Sequence, residues 1–299
     1  VKLVRVFPRR TNATPTDPLA FVGGPPEGVT ADEVHISVTF TYDKPEAERL
    51  KVLWERVAPV KIGGPAYGDI TGEFTPGRYV AHGFVIHTRG CPNSCWFCVE
   101  KNNPLCILEK LHGGKNLLDS NHLAAPLEHI QKSYTILAQN YGEVVLTGGL
   151  EAKLLTWDHV SLLMDLRPVQ MFFAYDTPDD LEPLRRAGEI LRLANFTRSH
   201  LRCYVLMGWA KDTMQEAEKR LMEAWEAGFL PMGMLFKDKD GAEDPAWKDF
   251  QWTWSRPAAT KARVQQIYQS RFGYHAPLKE VVERVKKARK DKRRKNRKV

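Results

Sequence analysis

The chain has 299 residues, 43% of them apolar and 27% charged, which is the composition of a globular protein and excludes a disordered or fibrous one. No run approaches the roughly 18–20 apolar residues that carry a helix across a bilayer. The N-terminal VKLVRVFPRR also lacks the apolar stretch of a secretory leader, so a cytoplasmic protein without a membrane partner is expected. The formal charge of +8 belongs to one end: residues 284–299 hold eleven Lys or Arg against one Asp, a net of +10, which leaves the rest of the chain at −2.

The first eighty residues read as a small α/β unit. VKLVRVF is strand-like, EVHISVTF alternates and is β-branched, KPEAERLKVLWERVA (44–58) sets Ala47, Leu50, Leu53 and Val57 at helical spacing, and PVKIGGP returns to strand. The Gly- and Pro-rich segment 64–79 then marks a boundary.

From residue 82 short apolar runs alternate with helical patterns, the signature of a parallel sheet covered by helices. Strands are predicted at 83–88, 143–149, 169–176, 201–208 and 231–238, with a sixth around FQWTW (250–254). Helices are predicted within 123–140 and at 157–166, 179–194, 213–228 and 258–271. The tail from Leu278 begins with helical propensity and passes into a basic arm with no apolar stripe.

Five cysteines, an odd number, argue against a disulfide framework and turn attention to spacing. HTRGCPNSCWFCVE sets Cys91, Cys95 and Cys98 as C-x3-C-x2-C directly after a predicted strand. Three thiolates in one loop suit a single iron–sulfur cubane and leave one iron without a protein ligand. A structural zinc site is the alternative, with His82, His87 and Cys106 near enough in sequence to complete four ligands.

With the aromatic Phe97 before the third cysteine, this motif resembles that of the radical S-adenosylmethionine (SAM) superfamily. The resemblance implies an α/β fold, a partial (β/α)6 TIM-like barrel over 81–275, preceded by the small α/β unit (1–80) and followed by the basic C-terminal tail (276–299). It further implies a [4Fe-4S] cluster on Cys91, Cys95 and Cys98 that reductively cleaves SAM to a 5′-deoxyadenosyl radical. Electrons would come from a donor such as flavodoxin or ferredoxin. The family's Gly-Gly-Glu-type motif has its counterpart in VVLTGGLEAK (144–153), so Thr147, Gly148 and Gly149 are expected at the cofactor. Leu150 follows the glycine pair, and the acceptor role falls to backbone carbonyls or to Glu151.

Barrel active sites lie at the C-terminal ends of strands. That rule selects His87, Thr88, Tyr175, Asp176, Met207, Lys237 and Asp238, with Met207 assigned to the cofactor and Tyr175, Asp176 and Cys203 to catalysis. DTPDD reads equally as a helix N-cap, Tyr175 and Cys203 as core, and Trp252, Trp254 and Arg256 as a cover for the barrel mouth or as core. The N-terminal unit resembles part of a cobalamin-binding domain over about residues 30–66. With no D-x-H-x-x-G segment, a shortened unit without cobalamin is favoured. The basic tail suits DNA or RNA phosphates, or serves as a solvated arm. A nucleic-acid-binding protein with a structural metal is therefore the second functional class, and a base in DNA or RNA a possible substrate.

Overall fold

The structure is a computed structural model that describes residues 1–69, 72–101, 103–139, 142–238, 241 and 244–272. The basic tail lies outside the described residues.

Four strands, β1 (Leu3–Phe7), β2 (Ala20–Val22), β3 (Glu33–Ser37) and β4 (Val60–Gly63), form a parallel sheet in the order β2-β1-β3-β4. Helix α1 (Lys44–Trp54) makes the crossover between β3 and β4. Its Ala47, Leu50 and Trp54 share a core with Val4, Val6, Val34 and Ile36. The strand-helix-strand unit read from sequence is therefore present, and β1 and β2 widen it. Strand β2 has only three residues, too few to show alternation.

The second sheet is also wholly parallel. It comprises β5 (Phe84–Val85), β8 (Asn116–Leu117), β9 (Val145–Leu150), β10 (Gln170–Ala174), β11 (Leu201–Met207) and β12 (Leu230–Leu235), side by side in chain order. Between β5 and β8 the chain makes the cysteine loop. A short antiparallel ladder, β6 (Thr88–Arg89) with β7 (Cys106–Ile107), closes that loop at its base. Helices α2 (Leu127–Ala138), α3 (Trp157–Leu166), α4 (Leu181–Leu193) and α5 (Met214–Glu226) form the successive crossovers, and α6 (Pro245–Ser255) and α7 (Pro257–Phe272) follow β12. Such sequential strands with helical crossovers build a partial barrel.

The sixth strand is a correction. FQWTW lies inside α6, which starts on Pro245 with the Asp244 side chain accepting from Ala246 N at 2.8 Å. In a strand Trp252 and Trp254 would share a face. Here Trp252 is 53% exposed and Trp254 fully buried, as a helix requires. The true sixth strand, β8, was hidden by its two-residue length. The cores of the two units meet the linker from opposite ends, Ala66 in one and Phe74 in the other.

Candidate active site

The cysteine loop is shaped by its backbone. Cys91 N donates to Asn103 O at 3.0 Å and Cys98 N to Cys95 O at 3.1 Å, while Glu100 N points at Cys98 Sγ at 3.4 Å. Gly90, at φ +73°, is a position where any Cβ would lie 2.2 Å from Pro104 O, so only glycine lets the two limbs approach. The three thiols are half-buried in one loop. Burial pushes the Cys95 and Cys98 thiols up, and the negative charge of neighbouring thiolates pushes the same way. Soft sulfur donors that repel one another as thiolates suit a cationic iron–sulfur core held between them. Among the described residues no three His, Cys, Asp or Glu side chains converge on one metal ion. A cubane differs from zinc in this respect, because each thiolate meets a different iron.

A polar clasp ties this loop to the ends of β8 and β9. Glu151, just after β9, accepts from Asn93 Nδ2 at 2.9 Å and from Asn121 Nδ2 at 2.7 Å. Asn121 also reaches Cys91 Sγ at 3.6 Å. Asn121 is 3% exposed, and its Oδ1 is buried without a hydrogen-bond partner among the described residues. Gly148 and Gly149 let β9 press against the backbone that leads to Asn121: a Cβ on Gly148 would lie 2.0 Å from Asp119 O, and one on Gly149 2.7 Å from Ser120 O. Thr147 Oγ1 bonds Asn116 Oδ1 on β8.

Behind the loop is a buried network centred on Asp119. Its carboxylate accepts from His87 N (2.7 Å) and Thr88 Oγ1 (2.8 Å) and pairs with His122 Nδ1 (2.6 Å). Burial opposes its charge, but the hydrogen bonds from His122 and His87 prevail and hold the carboxyl below its ordinary range. His87 is itself fixed by Ser133 Oγ of α2 (2.6 Å) and His112 O (2.8 Å). Thr88 and His87 are thus supports of the strand that launches the cysteine loop.

No family model and no curated protein matches the sequence. Among solved structures, the radical SAM methyltransferase TsrM from Kitasatospora setae, with cobalamin and a [4Fe-4S] cluster bound, is similar in fold. Its TM-score is 0.52 at 11% sequence identity, over 78% of this chain and 74% of that one. This chain shares the fold of that structure.

Within this fold, strand parity sorts the remaining candidates. Phe173 and Cys203 are paired in register and both are fully buried; Phe173 packs on Phe229. Tyr175, two residues on, donates to Glu223 of α5 at 2.6 Å. Met207 packs under α6, since a Cβ on Gly233 would lie 2.9 Å from its Sδ and 3.4 Å from Trp254 Cβ. Tyr175, Cys203 and Met207 therefore face the helices. Asp176 has the opposite parity and accepts from Leu206 N at 3.1 Å, its carboxyl pushed up to about 6, chiefly by burial. The cap role falls to Thr177, whose hydroxyl and amide bond Asp180.

The mouth is covered by aromatics other than those expected. Trp96, between Cys95 and Phe97, packs edge-on to Phe97 and Trp209 and lies 5.5 Å from Phe236, so the cysteine loop leans on the chain leaving β11 and β12. Trp252 instead carries Arg256 over its ring on the surface of α6. Lys237 lies over the Tyr42 ring of the N-terminal unit, and Cys106 is exposed. A cavity of about 910 Å³ opens between the C-terminal ends of β3 and β4 and the two limbs of the cysteine loop at Thr88–Gly90 and Val99–Glu100. Asn93, Asn121, Trp96 and this cavity escaped the sequence reading.

Proposed function

We propose that this protein is a radical SAM enzyme whose Cys91, Cys95 and Cys98 hold a [4Fe-4S] cluster with one iron left for SAM. The observation that carries the reading is the clasp: Glu151, at the expected end of β9, is joined through Asn93 and Asn121 to the cysteine loop of a radical SAM fold. When bound, the cluster supplies the electron that breaks a C–S bond of SAM and yields methionine and a 5′-deoxyadenosyl radical. The chain's own part is to hold and orient. The Glu151 carboxylate and the buried Asn121 Oδ1 offer acceptors for an ammonium group beside Cys91, and Trp96, Trp209 and Phe236 give an apolar cover that limits water. Flavodoxin or ferredoxin is the proposed electron source.

Anaerobic purification with iron, sulfide and zinc analysis tests the reading. About four irons per chain with matching sulfide support it; one zinc and no iron would replace it with a structural metal site.

A cobalamin-dependent methyltransferase is the second reading, favoured by the cobalamin in the TsrM structure and by the parallel N-terminal sheet of this chain. Cobalamin absorption in the purified protein, or tight uptake of added hydroxocobalamin, decides it. Nucleic-acid binding through the basic tail is a further proposal, tested by comparing the salt dependence of DNA and RNA affinity with and without residues 284–299.

A further inference from the structure

The cavity beside the cysteine loop is lined by a basic side chain whose hydrogen bonding the fold leaves incomplete. Arg89 lines it two residues before Cys91, and its Nε is buried with no hydrogen-bond partner among the described residues. A desolvated guanidinium N–H without an acceptor is costly, and the planar fork matches carboxylate and phosphate oxygens better than any other common group. The rest of the lining tells what the anion is attached to. Phe40, Phe74, Tyr79, Ile62 and Leu118 supply apolar and aromatic surface. Lys61 and Arg78 line the cavity as well, against Asp69, Glu73 and Glu100, so the lining is not cationic overall, and it is the incompletely bonded guanidinium of Arg89 that marks the place for an anion. The volume of about 910 Å³ is within the range of small-molecule sites. The C-terminal ends of β3 and β4 form one wall, which is where open parallel sheets receive ligands.

We infer that this cavity receives the substrate, a small organic molecule with an apolar or aromatic body and an anionic group, carboxylate or phosphate, seated on Arg89. The inference rests on the radical SAM reading for the word substrate, since Thr88–Gly90 and Val99–Glu100 bracket the cysteine triplet; the binding itself does not depend on a cluster.

Calorimetric or ligand-observed NMR titration of the full-length protein with benzoate, phenyl phosphate and benzyl alcohol tests it. At least one of the two anions binds saturably, and which one does so identifies the group. Arg89→Gln weakens that binding about tenfold or more, as expected for loss of a charged hydrogen bond. Arg89→Lys weakens it less, and benzyl alcohol is indifferent to both changes. The basic tail is common to all three proteins and cannot produce the difference. Thr39→Trp, at an exposed position on the cavity wall, blocks the anion without touching Arg89, which keeps the test decisive if Arg89→Gln is poorly folded. Absence of saturable binding by both anions, or equal binding by folded Arg89→Gln, overturns the inference. Iron and sulfide analysis of the same preparation separates the two claims: a protein with cluster and no anion binding loses only this inference, and one that binds the anion without iron loses only the radical SAM reading.

Discussion

Asn121 donates from Nδ2 to Glu151 Oε2 at 2.7 Å, and the same amide reaches Cys91 Sγ at 3.6 Å. One buried side chain thereby connects the end of β8, the end of β9 and the first cysteine of the motif. Hydrogen bonds to cluster sulfurs raise reduction potentials. Asn121→Ala should accordingly retain iron but titrate at a more negative midpoint, measured by redox titration with electron paramagnetic resonance. An unchanged midpoint would show that the amide only positions Glu151.

Asp119 accepts three hydrogen bonds at a fully buried position, and Asn in its place would turn an oxygen that receives them into a donor. Leaving buried donors without their acceptor costs about 1–3 kcal/mol. Asp119→Asn should lower unfolding free energy by about that amount in urea titrations and reduce the iron held per chain. Normal stability would mean that the His87 and Thr88 supports are dispensable.

Asp176 gives a pH signature. Its folded pKa of about 6 is raised above the ordinary 3.8, mainly by burial and further by the Asp180 charge. Between those values the folded protein binds more protons than the unfolded one, so this group's contribution to stability is full below about 4 and is lost as pH rises through about 6. The loss is at most about 3 kcal/mol. Asp176→Asn removes the titration, so the difference in stability between Asp176→Asn and wild type should rise in favour of the variant from pH 4 to pH 7. A pH-independent difference contradicts the assigned burial.

Tyr175 and Cys203 face the helices, which yields the opposite kind of expectation. Tyr175→Phe loses the 2.6 Å bond to Glu223 and should cost about 1 kcal/mol in stability, and Cys203→Ala a similar amount. Neither should change the rate of SAM cleavage. A rate loss far beyond the stability loss would return either residue to the reaction.

The comparison of sequence with structure turns on face and length. Strands β9 to β12 were readable because a parallel strand covered on both sides is a nearly continuous apolar run. That same property hides which residues face the lumen, since strand ends alone do not tell that Tyr175, Cys203 and Met207 face the helices. β2 and β8 are too short to carry a pattern, and WTW mimics alternation on a helix whose cap, Asp244-Pro245, is the more reliable sign. The cysteines announce themselves by spacing. Asn93 and Asn121 do not, since an asparagine in a loop reads as turn chemistry until the Gly148–Gly149 approach brings β9 beside the Asp119–Ser120 backbone. Arg89 was passed over in the same way, because the cavity it lines exists only where β3 and β4 come to face the cysteine loop.

The central claim is that three cysteines and the Glu151 clasp form a site for reductive cleavage of SAM. The most direct measurement is the 5′-deoxyadenosine produced when the anaerobically reconstituted protein is incubated with dithionite and SAM, beside Cys95→Ala treated identically. The account predicts that wild type forms 5′-deoxyadenosine and Cys95→Ala forms none. A wild-type protein with a full complement of iron and sulfide that forms none, or a Cys95→Ala protein that forms as much, would contradict it.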